Sequence, residues 1–215
     1  MTKDETKTVS GSLVYIVDDD SDVRDGLKQL LESVGMTCVS FNSAAEFLLH
    51  RRIEDAGCLI LDVRLPGTGG LDLQRQLTEA GVNIPIIFVT GYGDIPMTVK
   101  AMKGGAVEFL TKPLREQDVL DAVTAALERD RVMRAQVKEK QNLQTRLKML
   151  SDREHEIMMC VIAGLLNKQT AAETGLSEAT VKVHRHNLMK KLGAGSVPEL
   201  MRMAHILGIA APDRH

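Results

Sequence analysis

Leu13-Val14-Tyr15-Ile16-Val17-Asp18-Asp19-Asp20 sets five apolar residues directly against three carboxylates. A short apolar run closed by turn-forming residues is the signature of a strand buried on both faces. The pattern recurs at Thr37–Phe41, at Cys58–Leu61 ending in Asp62, at Ile84–Thr90 and at Val107–Leu110 leading to Lys112-Pro113. Helix-spaced segments separate these runs: Asp22–Val34 closed by Gly35, Ala44–His50, Gly70–Ala80 closed by Gly81, Pro96–Lys103, and Glu116 onward. Parallel strands need crossover helices. Five strand-helix pairs therefore predict a doubly wound α/β fold, a five-stranded parallel sheet covered on both faces.

In open sheets of this kind, ligands bind beyond the carboxyl ends of the strands. Those ends carry Asp18, Asp19 and Asp20, then Asp62, Thr90 and Lys112. Each has an ordinary explanation on its own. An aspartate after a strand serves a turn or caps a helix, as Asp20 or Ser21 is placed to do. A lone threonine or lysine there is solvated. Together, in order on one rim, the carboxylates repel one another unless a hard cation holds them. Mg²⁺, or Mn²⁺ in its place, takes oxygen ligands and leaves room for a phosphoryl oxygen. A threonine hydroxyl and a lysine ammonium on the same rim suit the remaining phosphoryl oxygens. The set fits transfer of a phosphoryl group to an aspartate.

The 215 residues are 44% hydrophobic and 26% charged, which excludes a disordered chain and fits two small domains. There is no apolar run of about 18 residues, so no membrane span is expected. The polar opening MTKDETKTVSGS has no signal-peptide core, and a cytoplasmic protein is expected. Cys38, Cys58 and Cys160 are odd in number, widely spaced and set in apolar runs, the pattern of buried free thiols in a reducing compartment. The net charge of −2 hides an asymmetry: −5 over residues 1–114, +2 over 115–150 and +1 over 151–215. Within 178–192, Lys182, Arg185, Lys190 and Lys191 face only Glu178. A locally basic helix behind an acidic front part points to nucleic acid.

Residues 115–150 contain neither glycine nor proline and should be helical throughout. Val119, Val123, Ala126, Met133, Val137 and Leu147 form a broken apolar seam, interrupted by Asp130, Lys140 and Gln144. The second half is either a solvated linker helix or a weak coiled coil. Ser151 to Glu154 then fits a capping box. A helix with Ile157, Cys160, Val161 and Leu165 on one face follows, then Lys168–Thr174, a tight turn at Gly175-Leu176, and a third helix, Glu178–Leu192, which Ser177 can cap. Val197–Ile206 makes a fourth. Short helix, glycine turn and basic helix form a helix-turn-helix, whose second helix enters the major groove. On it Val181, Leu188 and Leu192 should be core. Lys182, Val183 and His186 cluster as base-reading candidates, and Thr180, Arg185 and Lys190 suit phosphates. The alternative is a solvated basic face on a structural helix. His184 and His186 lack cysteine or carboxylate partners at zinc spacing.

Two resemblances follow. Val17-Asp18-Asp19-Asp20 and Arg24, then Leu61-Asp62-Val63-Arg64-Leu65-Pro66-Gly67, Thr90-Gly91 and Lys112-Pro113, resemble the flavodoxin-like (CheY-like) receiver domain of bacterial two-component response regulators, from residue 13 to about 128. The resemblance implies that Asp62 accepts a phosphoryl group from a sensor histidine kinase. It implies metal ligation by Asp18, Asp19, Asp62 and the Arg64 carbonyl, with Asp19 the direct ligand of the acidic pair. It further implies phosphoryl contacts from Thr90 and Lys112, an aromatic switch at Phe109, and a cis Lys112-Pro113 bond. Leu114 departs from the usual Phe. Leu150 to Glu154, Gly164 to Lys168, Ala171 to Glu173, Leu176-Ser177 and Thr180 to Gly193 are similar to the LuxR-type helix-turn-helix of the NarL/FixJ class. With Gly93-Asp94-Ile95-Pro96-Met97, the whole looks FixJ/StyR-like.

The expected organisation is a receiver over 12–128, a linker helix over 129–148 and an all-α, four-helix DNA-binding domain over 149–210. The expected function is a DNA-binding regulator that dimerises on phosphorylation through the surface around Asp94–Glu128, binds promoter DNA, works with RNA polymerase and activates transcription. Two rival classes remain. A phosphatase-type enzyme with an aspartate nucleophile would turn over small phosphomonoesters. A phosphorylation-independent DNA binder would act equally well with Asp62→Ala.

Overall fold

The computed structural model describes residues 13–50, 57–91 and 95–210. The polar opening, the first residue of the expected receiver and the Gly93-Asp94 pair lie outside them. The order is β1 (Leu13–Val17), α1 (Ser21–Ser33), β2 (Thr37–Phe41), α2 (Ala44–Leu48), β3 (Gly57–Asp62), α3 (Gly70–Glu79), β4 (Ile86–Thr90), α4 (Ile95–Lys103), β5 (Glu108–Thr111), α5 (Glu116–Leu147), α6 (Asp152–Ile162), α7 (Asn167–Thr174), α8 (Glu178–Leu192) and α9 (Val197–Leu207).

The five strands form one parallel sheet in the order β2-β1-β3-β4-β5. Alternate residues of each strand feed opposite faces. Tyr15, Val17, Leu59, Leu61 and Phe88 pack on one side with Leu73, Leu77 and Ala101 of α3 and α4. Val14, Ile16, Ile60, Ile87 and Val89 pack on the other with Leu27 and Leu31 of α1 and with Val119, Val123 and Ala126 of α5. Neighbouring β1 and β3 carry the chain away in opposite directions through the sheet, which opens the crevice typical of doubly wound folds between their carboxyl ends.

Strand four is two residues shorter than its apolar run. Pro85 has no N–H to give a ladder, and its carbonyl accepts from Leu59 N at 2.9 Å. Strand five is shifted by one residue, although Val107 N still donates to Ile86 O at 2.7 Å. Asp20, not Ser21, caps α1 by accepting from Asp22 N at 2.9 Å. Leu114, the departure after Pro113, packs partly buried against the α1/α5 core.

The chain forms two compact units that divide between Arg134 and Ala135, inside α5. The stretch expected as linker is thus shared. Asp130 is buried in the first unit and Leu143 in the core of the second, whereas Val137 of the seam is exposed. In the second unit α6 to α9 close around Ile157, Met158, Val161, Val181, Leu188, Leu192, Leu200 and Met203. The capping box at Ser151 and Glu154 is formed, and Gly175 makes the turn into α8 at φ 67°, in the left-handed region that favours glycine. The three cysteines are buried, and none forms a disulfide among the described residues. Burial pushes the Cys38 thiol up to about 11 and that of Cys58 higher still.

Candidate functional site

The carboxyl ends of β1, β3, β4 and β5 bring Asp18, Asp19, Asp62, Thr90 and Lys112 onto one rim of the sheet. Carboxylate oxygens of Asp18, Asp19 and Asp62 all lie within 4.8 Å of one another. Asp18 is fully buried, Asp62 is 5% exposed and Asp19 faces solvent. Lys112 Nζ donates to Asp18 Oδ2 and to Asp62 Oδ2, each at 2.7 Å. The other oxygens are also engaged: Asp18 Oδ1 accepts from Asp20 N at 3.0 Å, and Asp62 Oδ1 from Arg64 N at 2.8 Å. Arg64 therefore follows Asp62 directly around the pocket, on the loop whose carbonyl is the expected backbone ligand.

The backbone explains this precision. Lys112 N donates to Thr90 O at 2.8 Å, which continues the β4-β5 ladder past its last pair, Thr90 with Thr111, and seats the lysine beside the buried threonine. The Lys112-Pro113 bond is cis. Gly70 at the start of α3 lies so close to Asp62 that a Cβ there would collide with the Asp62 carbonyl oxygen. Phe109 lies partly buried on β5, its ring centroid 6.4 Å from that of Phe88.

Burial, with the nearby charge of Asp62, holds the Asp18 carboxyl above its usual range against the pull of Lys112 and the Asp20 amide. Burial alone would lower Lys112, but its hydrogen bonds to Asp18 and Asp62 outweigh that and hold the ammonium charged. Three carboxylates and one ammonium have a formal charge of −2, and the clustered carboxylate oxygens are a donor set that a hard divalent cation fits.

Two hydrogen bonds could not be read from the sequence. Arg24, quoted above in the receiver-like pattern but given no role there, reaches back from α1 to donate to the Asp18 carbonyl at 2.6 Å and so fixes the acidic loop. Gln74 of α3 is buried and donates to Ala101 O of α4 at 3.2 Å, against Gly104. Only an unexpected polar residue within an apolar helix face could have flagged Gln74.

On α8, Val181, Leu188 and Leu192 are buried as their spacing requires. Lys182, Val183 and His186 stand on the exposed face, Val183 at 59% exposure. Lys190 is also exposed and meets no carboxylate among the described residues. The other cations and Thr180 have partners. Lys182 approaches Glu178 at 3.7 Å. Arg185 donates to Asn167 Oδ1 of α7 at 2.9 Å and is half-buried. The Thr180 hydroxyl shares a hydrogen bond with Ser177 at 2.8 Å. Lys191, itself exposed, donates to the buried Glu154 at 2.6 Å and so ties α8 to α6.

Residues 14–124 match the family of response regulator receiver domains, and residues 148–204 match the luxR family of bacterial regulatory proteins. The chain is 50% identical to nodulation protein W of Bradyrhizobium diazoefficiens over 96% of its own length and 91% of the relative's. It is 48% identical to the response regulator protein TodT of Pseudomonas putida over 91% of its own length and 86% of the relative's. The solved structure of the response regulator StyR covers 91% of the chain, with 99% of StyR itself covered, at 46% identity and a TM-score of 0.81.

Proposed function

The chain belongs to the two-component response regulators of the NarL/FixJ class, transcription regulators rather than enzymes, in which a receiver precedes a LuxR-type DNA-binding domain, and from that membership we propose that Asp62 accepts a phosphoryl group from a sensor histidine kinase. The observation that carries this reading is the Lys112 ammonium 2.7 Å from both Asp18 and Asp62. It holds two buried carboxylates together and places a positive charge beside Asp62, the proposed nucleophile. An Asp62 carboxylate oxygen attacks phosphorus, a P–O bond forms, the P–N bond of the donor phosphohistidine breaks, and the departing imidazole takes up a proton.

Asp18, Asp19, Asp62 and the Arg64 carbonyl are the groups that would hold Mg²⁺ or Mn²⁺, which supplies positive charge against the phosphoryl oxygens. Lys112 keeps its charge and donates to one phosphoryl oxygen, and the Thr90 hydroxyl donates to another. The phosphoryl group adds about two negative charges and three acceptors. Drawing Thr90 toward them vacates space into which Phe109 turns. The surface around Asp94–Glu128 is thereby changed, the receiver dimerises, and two helix-turn-helix units bind a two-fold promoter site. There Lys182, Val183 and His186 read base edges, and Thr180, Arg185 and Lys190 contact phosphates. Activation of transcription follows through RNA polymerase, in the cytoplasm. Among the described residues no helix is long and apolar enough to cross a membrane.

The test compares promoter-DNA affinity and dimer mass, with and without a small-molecule phosphoryl donor, for wild type and Asp62→Ala. A donor-dependent rise in both, absent in Asp62→Ala, is expected. Equal DNA binding and activation by unphosphorylated Asp62→Ala and phosphorylated wild type overturns the switch.

A further inference from the structure

Asp130 lies between the two family matches, which end at residue 124 and resume at 148, and the reaction at Asp62 makes no use of it. It interrupts the apolar seam of α5, where a carboxylate should turn to water. Instead it is 3% exposed. Its Oδ2 accepts from the backbone N–H of Gly57, the first residue of β3, at 3.0 Å. The same oxygen accepts from Arg134 Nε, one turn further along α5, at 2.7 Å. Gly57 fits this joint because it has no side chain: a Cβ there would collide with the Leu13 carbonyl oxygen of β1. Asp130 Oδ1 is buried with no partner among the described residues. A buried carboxylate oxygen with no partner costs free energy and offsets part of what the two hydrogen bonds of the joint contribute.

β3 begins at this joint and ends at Asp62. Five residue steps at about 3.3 Å span roughly 16 Å of hydrogen-bonded strand. We propose that Asp130 tethers the part of α5 beyond the receiver match to the strand that carries the phosphoacceptor, so that phosphorylation at one end of β3 changes the hold on the helix at the other. The second half of this statement rests on the phosphoacceptor reading of Asp62. Coupling of this kind is reciprocal and needs an element with two arrangements. The tether, closed or open, is that element.

The experiment is hydrogen exchange on the full chain, with and without beryllofluoride and Mg²⁺ as the phosphoryl mimic, for wild type, Asp130→Ala, Asp130→Asn and Asp62→Asn. In Asp130→Ala, peptides covering 128–140 should exchange about tenfold faster or more, the scale of a lost charge-assisted hydrogen bond. They should lose the response to beryllofluoride seen in wild type, while β4 peptides keep wild-type protection. If Asp130→Ala yields no folded protein, Asp130→Asn decides. It keeps the volume and an acceptor for Gly57 but loosens Arg134, so exchange should be intermediate. Wild-type exchange over 128–140 in the deciding variant overturns the tether. An undiminished beryllofluoride response there overturns the coupling. Should beryllofluoride leave peptides at Asp62, Thr90 and Lys112 unchanged in wild type, as in Asp62→Asn, the phosphoacceptor reading and the coupling fail. The tether is still judged by the mimic-free comparison.

Discussion

In the receiver, Asp18 and Asp62 are almost wholly buried and share one ammonium, 2.7 Å from each. In the C-terminal unit, Lys182 and Lys190 stand on an exposed helix face, and the carboxylate nearest Lys182 is 3.7 Å away. Buried charges must be neutralised by a partner in a fixed place, so changing one of them disturbs all. Exposed charges are screened by water and salt, so each acts nearly alone. The receiver pocket should therefore respond to substitution as a unit, and the recognition helix residue by residue.

The largest effect is expected at the pocket. Lys112→Met removes the cation between two buried carboxylates and should destabilise the metal-free receiver by about 3 kcal/mol, as losing one partner of a buried pair does. Mg²⁺ should restore more stability to this variant than it adds to wild type, as read by urea unfolding with and without the ion. Equal Mg²⁺ effects in both would mean that the pocket charges do not interlock. Next comes Lys182→Ala, which should flatten discrimination among DNA sequences by about 1–3 kcal/mol at the bases it reads. Competition binding over a set of operator variants measures this, and unchanged discrimination would make α8 a merely basic helix.

Glu154→Gln gives a smaller effect and brings the interlocking logic into the DNA-binding unit. The Lys191 hydrogen bond foremost holds the Glu154 carboxyl below its ordinary 4.5. A depressed carboxyl stabilises the fold above its unfolded-state pKa, and that stability is lost as pH falls through the folded value. The wild-type advantage over Glu154→Gln, about 1 kcal/mol for a cap of this kind, should thus hold at neutral pH and vanish only below about 4.5. Acid titration of thermal unfolding checks it. The smallest change is Lys190→Ala, which should weaken binding to all DNA sequences about equally and reduce the salt slope by about one unit.

The same contrast decides what was legible in the sequence. Asp18, Asp62, Thr90 and Lys112 could be found because each closes a strand, and a parallel sheet gathers strand ends on one rim. The buried face of α8 could be found from its period. Partnerships made across the fold left no such trace. Arg24 binds a backbone carbonyl, which every residue offers. Arg185 and Lys191 look like free cations until α7 and α6 bring up Asn167 and Glu154. Asp130 broke the pattern of its helix, yet the strand start that donates to it is 73 residues away.

The buried thiols give the molecule clocks of its own. A thiol pushed up to about 11, as at Cys38, is almost entirely protonated at neutral pH, and Cys58 even more so. Thiolate is the reactive form, so alkylating reagents must wait for the fold to open. Cys38 and Cys58 lie in the sheet unit and Cys160 in the helical one. Peptide-resolved labelling times therefore record the opening of each unit separately, in one tube and without any added probe. Reading them before and after phosphorylation times how the signal changes the breathing of each half.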